Sequence, residues 1–95
     1  MKSVSEIRAT IASILYHEGD VEYNGGKTYG AVTFLNPVSV EVENYKGMNK
    51  HTETANGMYI DPNTGDIVVD VSKMRATERL TADSWNNLYT ALVND

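Results

Sequence analysis

The sequence predicts a small α+β domain: an antiparallel five-stranded meander flanked by an N-terminal and a C-terminal helix. Three observations carry this prediction. Apolar residues recur every three or four positions near both ends, they alternate every second position through the middle, and turn-forming residues punctuate the alternating part. At 95 residues, residues 1–95 form one domain.

The first helix begins at Ser3, which stands three residues before Glu6 in the spacing of a capping box. Val4, Ile7, Ile11, Ile14 and Leu15 then make one apolar stripe, and Gly19 supplies a stop, so a helix is expected over 4–17. From Asp20 the period falls to two. Val21–Tyr23 and Lys27 onward flank Asn24-Gly25-Gly26, a hairpin signal because both central residues must accept positive φ.

The next strand, 28–35, is apolar on both faces. Val32 and Phe34 lie on one side and Tyr29, Ala31 and Leu35 on the other, so it is expected at the centre of the sheet, covered twice. Asn36-Pro37 interrupts the ladder because proline has no amide donor. Val38, Val40 and Val42 then alternate with Ser39, Glu41 and Glu43 as a strand with one wet face. Residues 44–57 carry no period and are expected to be an irregular connection, either functional or mobile. A second hairpin joins Met58–Ile60 to Asp66–Val71 through Asp61-Pro62-Asn63-Thr64-Gly65. Residues 73–80 are compatible with strand, loop or helical turn. Thr81 reads as the cap of a last helix with Trp85, Leu88, Tyr89, Leu92 and Val93 on its apolar stripe.

The composition excludes several chemistries. There is no cysteine, which removes disulfides, thiolate metal sites and cysteine nucleophiles. No apolar run reaches the ~18 residues of a membrane helix. Met1-Lys2-Ser3-Val4 opens an amphipathic pattern and not a signal peptide, so a cytoplasmic protein without membrane contact is expected. Gly25-Gly26-Lys27-Thr28 looks like the end of a phosphate loop, but Val21 stands where the first glycine belongs and Lys27 opens a strand. His17, Glu18, Asp20 and Glu22 lack metal-site spacing. Asp61, Asn63 and Asp66 are interrupted by Pro62, and Ser72 stands where a calcium loop ends in glutamate. His17 and His51 sit in no Ser-His-acid context. Glu41 and Glu43 share a strand face at about 7 Å with little room for a cleft around them. Neither enzyme activity, cofactor nor metal is expected.

What remains points to binding. Thirteen acidic against eight basic side chains give a net charge of −5, which opposes nucleic-acid binding. Two short basic clusters, Lys46-Lys50-His51 and Lys73-Arg75-Arg79, become one patch only if the fold joins them. Six tyrosines are present, and Tyr45 shares the 44–57 segment with Met48, His51, Lys46 and Lys50. The expected binding residues are Tyr23, Lys27, Tyr45, Lys46, Met48, Lys50, His51 and Arg75. Tyrosine and methionine would anchor, and the cations would steer.

The expected function is a small non-enzymatic domain that docks on a host or partner macromolecule and inhibits or modulates it. Small size, no cysteine and no catalytic motif are in the style of accessory proteins of bacteriophages and mobile elements. Two alternatives stand beside it. One is an oligomer, associating through the uncovered sheet face, that holds a small anionic, nucleotide-like ligand with Tyr45, Lys50, His51 and Arg75. The other is a self-assembling virion component.

Overall fold

The fold comes from a computed structural model and is described for residues 2–18 and 30–94. In chain order the elements are α1 (Val4–Glu18), β1 (Ala31–Asn44), β2 (His51–Ile60), β3 (Ile67–Val71), β4 (Glu78–Leu80) and α2 (Ala82–Asn94). The sheet order is β3-β2-β1-β4, with every neighbouring pair antiparallel. The α+β class and both helices are as expected. The strand count is not: the described residues form four strands, and only β1 to β3 are a meander, because β4 returns to the far side of β1. The expected hairpin at Asn24-Gly25-Gly26, with Tyr23, Lys27 and Tyr29, lies outside the described residues.

Three segments explain the difference. Asn36-Pro37 does not divide two strands, because β1 runs through it. The β1–β2 register instead jumps between Thr33, opposite Gly57, and Val38, opposite Ala55. A bulge absorbs proline's missing donor. Phe34 turns into the core at this bulge while Leu35 is 88% exposed, so the second face is not covered there. Gly57 allows the crowding, since a Cβ on it would stand 2.4 Å from the Val32 carbonyl oxygen.

Second, 44–57 is not an irregular connection. Residues 45–50 form a tight turn, and from His51 the chain is strand β2, with Ala55 and Gly57 buried. Third, residues 78–80 form β4, pairing Val42 with Leu80, Glu43 with Arg79 and Asn44 with Glu78.

Both helices pack on one face of the sheet. Ile7, Ile11 and Leu15 of α1 and Leu88 and Leu92 of α2 form one core with Phe34, Val40, Val42, Ala55, Met58, Ile60 and Leu80. Ser39, Glu41, Glu43, Thr52 and Thr54 alternate onto the other face, which is polar. At the start of α1 the Glu6 amide donates to Ser3 Oγ at 3.2 Å, and that hydroxyl donates to the Glu6 carboxylate at 3.1 Å, so the expected cap is present. The Asp61–Gly65 turn also forms, the Gly65 amide donating to the Asp61 carbonyl at 2.8 Å with Gly65 at φ +75°.

The junction between β4 and α2 has an unusual partner. Thr81 caps α2 by accepting the Ser84 amide at 3.2 Å. The buried Ser84 hydroxyl donates to the Glu41 carbonyl at 2.8 Å and accepts the Glu41 amide at 2.6 Å. A helix side chain therefore takes over the ladder where the short β4 ends.

Candidate functional site

The β1–β2 turn is built on Asn44. Its side-chain oxygen accepts the amides of Lys46 at 3.0 Å and Met48 at 2.9 Å. Its carbonyl accepts the Gly47 amide at 2.9 Å, and its own amide donates to the Met48 carbonyl at 3.1 Å. Gly47 and Asn49 take positive φ to close the turn, a conformation that glycine and asparagine tolerate best. Four hydrogen bonds thus fix a short loop that holds Tyr45 (65% exposed) and Met48 (60% exposed) outward.

Residues 72–77 must carry the chain from β3, at one edge of the sheet, to β4 at the other, and they do so beside this turn. The Tyr45 hydroxyl donates to the Ala76 carbonyl at 3.3 Å. The Ser72 amide donates to the Thr54 carbonyl at 2.8 Å, and the Ser72 hydroxyl donates to Glu53 at 3.2 Å. The Arg75 amide donates to the Glu78 carboxylate at 3.0 Å.

His51 ties the two segments together. Its Nε2 lies 2.6 Å from Glu78 and its Nδ1 3.3 Å from Glu53. The Glu78 hydrogen bond, with the charges of Glu78 and Glu53, raises its pKa above the ordinary value despite some desolvation. Glu78 is held below the usual carboxylate range, first by the Arg75 amide and then by His51. Alongside, Glu43 bridges the clusters a second time, with Lys50 Nζ at 3.9 Å and Arg79 Nε at 3.4 Å.

The fold therefore joins the two basic clusters of the sequence. Five of the eight Lys and Arg residues meet here: Lys46, Lys50, Lys73, Arg75 and Arg79. Glu43, Glu53 and Glu78 are already engaged. Lys46, Lys73 and Arg75 enter no ion pair among the described residues. An acidic chain thus presents one end where cations outside any ion pair accompany exposed tyrosine and methionine.

Of the residues predicted from sequence, Tyr45, Lys46, Met48, Lys50, His51 and Arg75 all lie at this end; Tyr23 and Lys27 are outside the described residues. His51 is a strut between carboxylates and not a free contact. Met74 (43% exposed) was missed, and Lys73 was placed in a basic cluster but not among the binding residues, because nothing in 73–80 reveals that the segment crosses to the hairpin. A shallow hollow of about 570 Å³ has His51, Lys73 and Arg75 in its lining, but also Glu53 and Glu78, and Lys50 and Tyr45 stand outside it. Among the described residues no group of three His, Asp or Glu side chains is placed to hold a metal ion, and no helix is long and apolar enough to cross a membrane. Compared with protein-family models, curated proteins and solved structures, the chain matches none.

Proposed function

We propose that this chain is a small binding domain that docks on a partner protein with an acidic surface and modulates it, through the β1–β2 turn and the crossing segment 72–77. The observation that carries the reading is the fixed outward display of Tyr45 and Met48 among Lys46, Lys73 and Arg75. A pre-ordered turn loses little entropy on docking, so burial of its anchors appears as affinity. Tyrosine offers a large area with a polar tip, methionine adapts to an irregular pocket, and the cations orient an acidic partner during encounter. Glu53 and Glu78 oppose the alternative of a small polyanion in the adjacent hollow.

The test compares the tagged chain with a Tyr45→Ala/Met48→Ala variant in affinity purification from the native source. The wild type should retain one stoichiometric acidic protein, less of it as salt rises. The variant should retain about tenfold less or worse while its Tm stays within a few degrees. Equal retention by both chains would remove the docking face, and so would a large fall in the variant's Tm.

A further inference from the structure

A second concavity lies where the first turns of α1 and α2 meet the sheet, sharing Met74 and Glu78 with the hollow beside the docking turn. It encloses about 660 Å³, within the range of small-molecule sites. Val4, Ile67, Val69, Met74, Leu80 and Trp85 make most of its wall apolar. Four charged residues complete it: Arg8, Arg79, Glu43 and Glu78. Three of them are satisfied. Glu43 holds Arg79 at 3.4 Å, and Glu78 accepts from His51 and from the Arg75 amide. Arg8 is different. Its guanidinium lies 5.2 Å from the centre of the Trp85 ring and enters no ion pair among the described residues.

From this charge balance we infer that the cleft binds a small amphipathic monocarboxylate, its apolar body against Trp85, Ile67 and Met74 and its carboxylate on Arg8. A planar guanidinium resting on an aromatic face keeps its donor edge open, and a carboxylate matches that edge with two parallel hydrogen bonds. Glu78 narrows the choice, because it repels a second negative charge, which disfavours phosphates and dicarboxylates, while the exposed guanidinium repels a cation. The turn residues Tyr45, Lys46 and Met48 take no part in the lining, although Met74 of the crossing segment does, so the Tyr45→Ala/Met48→Ala variant tests the docking surface and Arg8→Gln tests this site.

Trp85 is the only tryptophan in the chain, so its emission reports on the site directly. The full chain is titrated with 4-phenylbutyrate, 4-phenylbutanol and 4-phenylbutylamine, and amide shifts in ¹⁵N spectra locate the binding. The carboxylate should give a saturable change in emission and bind about tenfold more tightly than the alcohol. The amine should bind most weakly, with shifts grouped at Val4, Arg8, Ile67, Val69 and Trp85. Arg8→Gln, at an exposed helix position, should keep the wild-type circular dichroism and bind acid and alcohol alike. The inference is overturned by no saturable change up to about 10 mM, by equal binding of acid and amine, by shifts confined to residues 45–50, or by an unchanged acid preference in a folded Arg8→Gln.

Discussion

Single side chains decide more of this fold than its size suggests. Ser84 has a partner for each capacity of its hydroxyl: it donates to the Glu41 carbonyl and accepts the Glu41 amide, with Thr81 Oγ1 at 2.9 Å. Ser84→Ala removes the acceptor and leaves the part-buried Glu41 amide facing a methyl group, which costs about 1–3 kcal/mol. Thr81→Ala, which removes the helix cap and one partner of the Ser84 hydroxyl but leaves the Glu41 amide paired, costs about 1 kcal/mol. Urea denaturation should rank the two in that order, and a Ser84→Ala within about 0.5 kcal/mol of wild type would show that the ladder does not depend on this hydroxyl. The cap at Thr81 was legible from its place before an apolar stripe. The role of Ser84 was not, because its partner is 43 residues away in sequence and is a backbone group. The Ser3–Glu6 cap is legible for the opposite reason, both partners lying within one helical turn.

The elements were readable where burial leaves a period and unreadable where it does not. Both helices follow from stripes whose members, Ile7, Ile11 and Leu15 in α1 and Leu88 and Leu92 in α2, are indeed in the core. Met58–Ile60 of strand β2 was expected, but its first part escaped because the opening residues, His51-Thr52-Glu53-Thr54, are polar on both faces; neighbouring strands and the crossing segment define them, not their own hydrophobicity. β4 escaped because three residues are too few to carry a pattern. The same polar start of β2 makes the tie to the crossing segment depend on pH. His51 titrates above its usual value near 6.5, so its contribution is complete below about that pH and is lost as pH rises through the folded-state value. Glu78 titrates below its usual 4.5, so its contribution is present above about that pH and is lost as pH falls through its own folded-state value. The tie is therefore strongest between these two limits. His51→Gln should lower Tm more at about pH 5.5 than at about pH 9. A decrement that is the same at both pH values would mean that the imidazolium charge does no structural work.

At the scale of the molecule, one core serves every element. α1, α2 and all the strands but β3 place fully buried side chains in a single cluster, and β3 packs Ile67, Val69 and Val71 against it. Ile11, with no exposed surface, sits among them. Ile11→Ala should cost about 2–5 kcal/mol, a large part of the ~5–15 kcal/mol typical of a whole domain. Unfolding followed by Trp85 emission and by far-ultraviolet circular dichroism should coincide in both wild type and variant. Separate transitions would show that the sheet and the helices are not one cooperative unit. The charge asymmetry was only half legible: the sequence contains both basic clusters, but whether they meet depends on the path of 72–77. The bulge in β1 has a consequence of a different kind. A valine-rich ribbon of 14 residues, paired on its β4 side only near its end among the described residues, resembles the seeds from which cross-β fibres grow. Asn36-Pro37 breaks that ribbon into two short, out-of-step lengths and removes one of the amides an incoming chain would need. Replacing Asn36-Pro37 by Thr-Val should therefore raise fibril formation at high concentration, read by thioflavin fluorescence, while the circular dichroism of the fresh protein stays unchanged.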